Sequence, residues 1–340
     1  MTEQEAANAS NSLDVPPVFS RRVLDLDPAS EVQRIVAQVQ AQVHALHRRG
    51  AVVGLSGGVD SAVVGALMVR ALGPNRVCAL LMPERDSSAD SLRLGREVAD
   101  TLGVEAIVED VGPTLTSIGC YARQTQAIRE VFPEYGEGWQ CKVSLPSVTS
   151  SDRLNVFQLT VRAPDGATFS SRMPPSAYLQ LVAATNFKQR VRKSIEFYYA
   201  DKLAYAVAGT PNRLEYDQGF FVKQGDGAAD LKPIAHLFKT QVYALAAHLG
   251  VPEEIQRRPP TTDTYSMEQT QEEFFFALPY GLMDLCIWAL DRAVPIDVVA
   301  RVLDLSPLQV ARVFKDIEAK RRGARYLHAA PLLIEPIGQG

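Results

Sequence analysis

The sequence predicts an α/β fold with a doubly wound, mainly parallel sheet. Short apolar segments at residues 51–55, 76–82 and 105–109 have the length and composition of buried strands. Helical segments follow the first two of them, at residues 61–72 and 87–102. Strands that are joined by single helices favour parallel pairing, with helices on both faces of the sheet.

Further segments extend this pattern along the chain. Apolar residues recur at helical spacing through residues 30–49, and Gly50 ends that helix. A second long helix is predicted at residues 176–200, followed by a buried strand at 203–208. The chain from Thr270 onward is predicted to be largely helical.

The domain organisation follows from two changes in composition. The α/β domain is predicted to span residues 29–117 and 176–322, interrupted by a proline-rich, β-rich insertion at 118–175 that contains a small hairpin. The insertion is interpreted as a cover over the site, a subunit contact, a partner surface or a passive addition. The polar residues 1–28 are predicted to form a flexible arm and residues 323–340 a tail.

Composition and charge exclude several classes of function. The chain has 340 residues, 46% of them apolar, which is enough to bury a sizeable core. Its net charge of -4 indicates no general attraction to nucleic acid or to anionic membranes. No apolar run reaches the roughly 20 residues of a membrane span, and the N-terminus lacks the pattern of a signal peptide, so a cytoplasmic location is expected. The four cysteines match no metal or disulfide spacing and are expected to be reduced.

Two short helices predicted within residues 295–321 superficially suggest a helix-turn-helix. No basic recognition face accompanies them, so two packed scaffold helices are favoured.

The most informative motif is Val-Gly-Leu-Ser-Gly-Gly-Val-Asp-Ser at residues 53–61. It follows a predicted strand and opens a helix, where α/β folds bind ligands. Ser56, Gly57 and Gly58 predict a tight turn whose backbone N–H groups approach an anion, aided by the helix dipole. Asp60 is a candidate Mg²⁺ ligand. The lysine of a Walker A loop is missing, which disfavours kinases and GTPases.

A second group of polar residues lies in glycine-rich loops further along the chain. It comprises residues 207–215, residues 219–230, Lys239 and the Pro-Thr-Thr-Asp turn at residues 260–263. Acids and lysines mixed in such loops are typical of a site that holds Mg²⁺ and phosphates together.

The Ser-Gly-Gly-x-Asp-Ser element resembles the PP-loop of the ATP pyrophosphatases, which have an adenine nucleotide alpha hydrolase-like fold. Four later elements, in order, resemble those of the NAD synthetase family: Asn-Phe-Lys-Gln-Arg at 186–190, Gly-Thr-x₄-Glu at 209–215, Gly-Phe-Phe-x-Lys-x-Gly-Asp-Gly-x-x-Asp at 219–230, and Pro-Thr-x-Asp at 260–263. Leu-x-Lys-x-Gln at 237–241 completes the set. The resemblance covers residues 30–322 apart from the insertion.

The resemblance implies a role for each matching residue. Asp60 and Lys239 are expected to be catalytic, and Asp60 and Glu215 to bind the metal. Residues expected to hold the dinucleotide substrate are Arg190, Lys223, Asp230 and Lys320. The expected ATP-binding residues are Gly54, Ser56, Gly57, Gly58, Asp60, Ser61, Thr210, Lys239 and Thr261. One departure is Ala319, which stands where the family often carries a histidine.

The implied activity is the ATP-dependent amidation of deamido-NAD (nicotinic acid adenine dinucleotide) to NAD through an acyl-adenylate. Ammonia is the expected nitrogen donor, because relatives that use glutamine carry an additional amidase domain, and a separate glutaminase remains a possible source. Mg²⁺ and a homodimer are also implied. Two alternatives remain at this point: a PP-loop ligase for a different carboxylic acid, and a non-catalytic nucleotide-binding regulatory protein.

Overall fold

The computed structural model describes residues 18–144, 157–261, 264–276 and 278–335. Its central sheet is formed by β1 (Ala51–Gly54), β2 (Val77–Leu81), β3 (Ala106–Val108) and β7 (Ala206–Val207). All neighbouring strands are parallel, in the order β3-β2-β1-β7. Because the chain continues from β1 to one side and places β7 on the other, the direction of winding reverses at the β1–β7 boundary. Open α/β sheets bind ligands at this kind of boundary.

Helices cover both faces of the sheet, as the sequence predicts. On one face lie α1 (Pro28–Ala45), α2 (Val59–Leu72), α3 (Ala89–Leu102) and α8 (Lys239–Leu249), which share one apolar core with Val53. On the other face Val52 packs against α6 (Pro175–Leu203) through Tyr199 and Ala200. Adjacent residues of β1 therefore point into two different cores, which explains why the strand is apolar throughout.

The insertion forms a second, antiparallel sheet. Its strands are β4 (Gln140–Ser144), β5 (Gln158–Arg162) and β6 (Thr168–Arg172), in the order β4-β5-β6. The predicted hairpin corresponds to β5 and β6, while β4 was not predicted. The sheet packs on α5 (Cys120–Arg129) and on the first turns of α6 through Ala177 and Leu181. Residues 145–156 of the insertion lie outside the described part of the chain.

The C-terminal part is helical, with α10 (Tyr280–Asp291), α11 (Ile296–Leu303) and α12 (Pro307–His328) sharing one apolar core. Helices α11 and α12 pack into this core, in agreement with the prediction of two packed scaffold helices. Helix α12 continues six residues beyond residue 322, where the tail was predicted to begin. The remaining short elements are α4 (Gly112–Ser117), α7 (Arg213–Gln218), α9 (Glu253–Arg257), a 3₁₀ turn (Pro74–Arg76) and a π-helical turn (Glu272–Phe276).

The N-terminal segment differs from the predicted flexible arm where the structure describes it. Phe19 is buried and stacks on Trp288 of α10, with ring centroids 5.8 Å apart. Leu24 is buried in the same core, and its carbonyl accepts a hydrogen bond from Gln241 Nε2 at 3.0 Å. Residues 18–27 are therefore packed against the C-terminal helices, because Phe19 and Leu24 bury their side chains in the core that those helices form. Residues 1–17 lie outside the described part.

The strand predicted at residues 203–208 is shorter in the structure. Helix α6 continues to Leu203 and ends where Ala204 adopts a left-handed conformation with φ of 55°. Only Ala206 and Val207 then pair with β1, and a single bridge joins Ala208 to Leu231. All four cysteines are buried free thiols. Within the described ranges, no helix combines the length and apolarity required to cross a lipid bilayer.

Candidate active site

The turn between β1 and α2 is closed by hydroxyl hydrogen bonds. Ser61 Oγ donates to the carbonyl of Gly58 at 2.9 Å, lies 3.1 Å from Ser56 Oγ and accepts from the Ser56 N–H at 3.2 Å. Gly57 has a φ of 77°, and an added Cβ would lie 2.7 Å from the carbonyl oxygen of Ser91. Only glycine suits that position, because both the conformation and the space exclude a side chain. The predicted tight turn is present, and α2 begins at Val59, so Asp60 lies in its first turn.

Two segments that are distant from Asp60 in the sequence converge on it. Lys239, the first residue of α8, donates a hydrogen bond from Nζ to Asp60 Oδ2. Asn212 donates from Nδ2 to Asp60 Oδ1 at 2.9 Å. Asn212 also begins α7 with a capping box, in which its side chain accepts from the Glu215 N–H and Glu215 Oε2 accepts from the Asn212 N–H. The helix cap thus places Glu215 beside Asp60.

Burial and charge make this cluster electrostatically unusual. The side chain of Lys239 is 0% exposed and that of Asp60 16%. Burial, with a further contribution from the negative charge of Asp60, raises the pKa of Glu215 to about 8. Burial acts to lower the pKa of Lys239, but the charges of Asp60 and Glu215 prevail and raise it. Two carboxyl groups thus share one ammonium, and a further cation would favour ionisation of both.

A cavity of about 440 Å³ opens at the carboxyl ends of β1 and β7. Eight of the nine predicted ATP-binding residues line it: Gly54, Ser56, Gly57, Gly58, Asp60, Ser61, Thr210 and Thr261. Glu215 lines it as well, while the ninth residue, Lys239, is bonded to Asp60. Thr262 and Asp263 of the Pro-Thr-Thr-Asp turn lie outside the described residues. Hydroxyls, exposed backbone and carboxylates in one cavity are able to hold a polyphosphate together with a metal ion.

Comparison with known proteins identifies the family of the chain. The family model described as NAD synthase matches residues 31–132 and 153–324. The chain belongs to the NAD synthase family. The unmatched residues between the two blocks, 133–152, lie within the insertion.

Several relatives in this family are similar to the chain over nearly its whole length. A protein of Mesorhizobium japonicum named NH(3)-dependent NAD(+) synthetase is 60% identical over 93% of this chain and 100% of its own length. The protein of the same name from Rhizobium meliloti is 59% identical over 94% of this chain and 96% of its own. The protein of the same name from Thermotoga maritima is 35% identical over 86% of this chain and 96% of its own length.

Solved structures share the fold at lower sequence identity. An NH3-dependent NAD synthetase from Campylobacter jejuni, solved with a nitrate ion, has a TM-score of 0.58 and 22% identity, covering 91% of this chain and 100% of the other. A structure of NMN synthetase from Francisella tularensis has a TM-score of 0.60 and 21% identity, covering 91% and 99%. These similarities confirm the PP-loop α/β fold.

The residues expected to hold the dinucleotide are arranged differently from the ATP-binding residues. None of Arg190, Lys223, Asp230 and Lys320 lines the cavity. Lys223 donates from Nζ to the carbonyls of Tyr326 and Ala329 at 2.8 and 3.1 Å, and its own carbonyl accepts from Arg190 at 3.3 Å.

The other two members of this set also bond within the chain. Asp230 accepts from the Val207 N–H at 2.7 Å, and Lys320 pairs with Asp316 at 2.7 Å while donating to the Phe275 carbonyl. Burial lowers the pKa of Lys320, opposed by Asp316.

Sequence reasoning missed a row of charged residues on α6. Arg192, Lys193 and Glu196 line the cavity. Lys193 donates to Glu196 at 2.6 Å, and Arg192 donates to the carbonyl of Met82 at 3.1 Å. Their spacing places them near one another on the helix, but a charged run on a helix usually faces solvent. Nothing in the sequence alone showed that this face of α6 is turned toward β1.

Proposed function

We propose that this NAD synthase family member is a C–N bond-forming ligase that converts deamido-NAD to NAD. It uses ATP and ammonia and releases AMP and pyrophosphate. The nicotinate carboxylate attacks the α-phosphate of ATP, pyrophosphate leaves, and ammonia then displaces AMP from the acyl-adenylate. Adenylation is needed because a free carboxylate is a poor acyl donor.

One observation carries the proposal: Asp60 and Glu215 line one cavity together with the Ser56–Gly58 turn, and the buried Lys239 donates to Asp60. A regulatory protein that only binds nucleotide has no need for two carboxyl groups against one buried lysine. Such a cluster is costly unless a cation joins it. A leaving pyrophosphate carries a high negative charge, so a cation that joins the cluster would stabilise it by neutralising part of that charge.

Each part of the cluster has a defined role in this reaction. The N–H groups of the Ser56–Gly58 turn and the start of α2 hold phosphate oxygens by hydrogen bonds and by the helix dipole. Lys239 stays protonated beside Asp60 and places a positive charge close to the phosphates. These groups are fixed before substrate arrives, so little reorganisation accompanies the charge that develops on pyrophosphate.

The donor set fits Mg²⁺, which prefers hard oxygen ligands and usually takes one or two carboxylates plus substrate phosphates. Asp60 and Glu215 would provide these carboxylates. Burial and the charge of Asp60 raise the pKa of Glu215 although Lys239 opposes them, so the chain compensates the charge of this carboxyl group only in part. Bound there, the ion would neutralise pyrophosphate as it leaves.

The dinucleotide is assigned to Arg190, Lys223, Asp230 and Lys320. When substrate binds, these residues would exchange their hydrogen bonds within the chain for hydrogen bonds to the dinucleotide. A contact between the two subunits of a homodimer would complete the site. Free ammonia is the proposed nitrogen donor, with a separate glutaminase as its possible source in the cell.

The test is to follow pyrophosphate and NAD together in the presence of ATP, Mg²⁺ and ammonium, with and without deamido-NAD. The proposal expects equal amounts of both products, formed only when deamido-NAD is present. Pyrophosphate without NAD would indicate a different carboxylic acid as substrate. A folded chain that binds ATP and forms neither product would contradict the proposal.

A further inference from the structure

Lys188 is a second deeply buried cation, outside the Asp60 cluster. Its side chain is 2% exposed, yet it carries an ammonium group on a helix that packs against the sheet. Its Nζ lies 2.7 Å from Asp86 Oδ2, 3.0 Å from Glu84 Oε1 and 2.9 Å from the carbonyl oxygen of Thr264. Burying a lysine costs free energy because its charge loses water, and the oxygens around Nζ offset that cost. Such an arrangement indicates a specific role for the residue.

The three acceptors belong to segments that form different walls of the ATP cavity. Glu84 and Asp86 lie on the loop that leaves β2, and Glu84 is also bonded by the hydroxyl of Tyr121 at 2.8 Å. Thr264 lines the cavity, as does Thr261 of the Pro-Thr-x-Asp element. Lys188 itself lies on α6 and also lines the cavity. One ammonium therefore connects the β2 loop, α6 and the segment that carries Thr261.

The segment that carries Thr261 is held at its other end by the inserted sheet. The term Thr261 loop is used for residues 258–261 and 264–270. In β4, the N–H of Cys141 donates to Ser266 Oγ at 3.0 Å, and its carbonyl accepts from the Met267 N–H at 3.0 Å. The Gln271 N–H closes the base of the loop by donating to the Pro260 carbonyl at 3.0 Å.

This arrangement suits positioning better than ligand binding. Nζ donates to Asp86 Oδ2 and to the Thr264 carbonyl, and the Glu84 carboxylate lies 3.0 Å away. A phosphate at Nζ would have to displace one of these oxygens and lie against two carboxylates. The carbonyl of Thr264, in contrast, can reach this charge only when the Thr261 loop lies against the cavity.

We propose that Lys188 is a positioning residue that holds the Thr261 loop at the ATP site, with β4 of the insertion as its second support. The inference rests on the proposed function, in which Thr261 contacts ATP. The insertion thereby gains a structural role, because its first strand fixes the part of the loop that Lys188 does not reach. A misplaced loop weakens ATP binding and leaves the residues assigned to the dinucleotide unchanged.

The test compares Lys188→Met and Ser266→Ala with the wild-type chain. ATP affinity is measured by calorimetry with Mg²⁺, and KM is measured separately for ATP and for deamido-NAD. Lys188→Met is expected to raise the Kd and KM for ATP at least about tenfold, since ångström-scale misplacement is costly. Ser266→Ala loses one hydrogen bond and should raise both about threefold to tenfold. The KM for deamido-NAD should stay within about twofold in both variants.

Ser171→Ala is the matched control. Ser171 lies in β6 of the inserted sheet that contains β4, and among the described residues its hydroxyl donates to the neighbouring Arg172 carbonyl alone, at 3.5 Å. Its ATP affinity should equal that of the wild type, and a loss as large as that of Ser266→Ala would overturn the role of β4.

Equal rises in both KM values, or unchanged ATP binding by folded Lys188→Met, would overturn the role of Lys188. If Lys188→Met does not fold, Ser266→Ala decides, and unchanged ATP affinity in that variant overturns the proposal. A wild-type chain that binds ATP but forms no NAD contradicts the proposed function alone, because the affinity comparison still stands.

Discussion

The two halves of the proposed site differ in how much of each the chain completes by itself. At the phosphate end, Asp60, Glu215 and Lys239 are buried or nearly so and bond to one another or to Asn212. At the dinucleotide end, Lys223 and Asp230 bond instead to nearby backbone groups of their own chain. The phosphate end is anchored at strand ends and helix starts, whereas the residues of the dinucleotide end lie on loops and within the helices α6 and α12.

This difference indicates where preorganisation lies. A turn fixed between β1 and α2 presents its N–H groups whether or not a ligand is present, which is the condition for electrostatic stabilisation of developing charge. A surface lysine that donates to two carbonyls must exchange them for substrate. Substitutions at the phosphate end should therefore reduce turnover, and those at the dinucleotide end should mainly weaken apparent affinity.

The largest effect is expected for Asp60→Ala. Removal of a proposed metal ligand and of the partner of Lys239 should lower the rate of pyrophosphate release at least about 100-fold to 1000-fold, with the fold retained. The measurement is kcat for pyrophosphate release, with circular dichroism for the fold. The control is Asp100→Ala, which changes an exposed aspartate at the end of α3. Near-normal turnover in Asp60→Ala would refute the metal assignment.

Lys239→Met should affect both activity and stability. It leaves Asp60 and Glu215 without their ammonium, so we expect a loss of about 100-fold in kcat and of about 3 kcal/mol in the free energy of unfolding. Denaturant unfolding measures the second quantity. Lys315→Met, at an exposed position of α12, should change neither. A stable but inactive Lys239→Met variant would show that Lys239 is not a structural partner of the two carboxyl groups.

A smaller and more selective effect is expected for Lys223→Ala. The KM for deamido-NAD should rise about tenfold, because one charge-assisted hydrogen bond to this substrate is lost, while the KM for ATP stays unchanged. Steady-state kinetics with each substrate varied in turn distinguishes the two ends of the site. An unchanged KM for deamido-NAD would remove Lys223 from the dinucleotide end, and a rise in both KM values would contradict the division itself.

The smallest effect concerns Asp284, whose carboxylate is bonded to the first turn of α8. Its Oδ2 accepts from the Thr240 N–H at 2.9 Å, next to Lys239. Burial raises the pKa of Asp284 from 3.8 to about 6, although hydrogen bonds from Thr240 oppose the shift.

The unfolded chain therefore loses this proton at lower pH than the folded chain, so Asp284 reduces stability as pH rises from about 4 to 6. Asp284→Asn should remove a slope of at most about 1.4 kcal/mol per pH unit from the free energy of unfolding over that range. Asp297→Asn, at an exposed position of α11, is the control and should keep the slope. An unaltered slope in Asp284→Asn would show that its carboxyl group is not desolvated as the structure indicates.

Much of the fold was predictable from local patterns. The strands at residues 51–55 and 76–82 and the helix at 87–102 were predicted within a few residues of their bounds, because buried strands and capped helices carry strong local signals. Strand β4 was missed, since its partly buried and buried residues alternate over only five positions between prolines and glycines. The buried pairing of Lys188 was also missed, as lysine on a helix normally indicates a solvated face.

The PP-loop turn, its position between a strand and a helix, and the family of the chain were all readable from the amino-acid sequence. They depend on residues adjacent in the chain, where backbone conformation and helix capping are set locally. Three further features became visible in the folded chain: Asp60, Glu215 and Lys239 meet, residues 18–27 are packed, and the inserted sheet touches the Thr261 loop. Those contacts join segments more than 100 residues apart, and burial and charge pairing at such separations depend on how the whole chain packs.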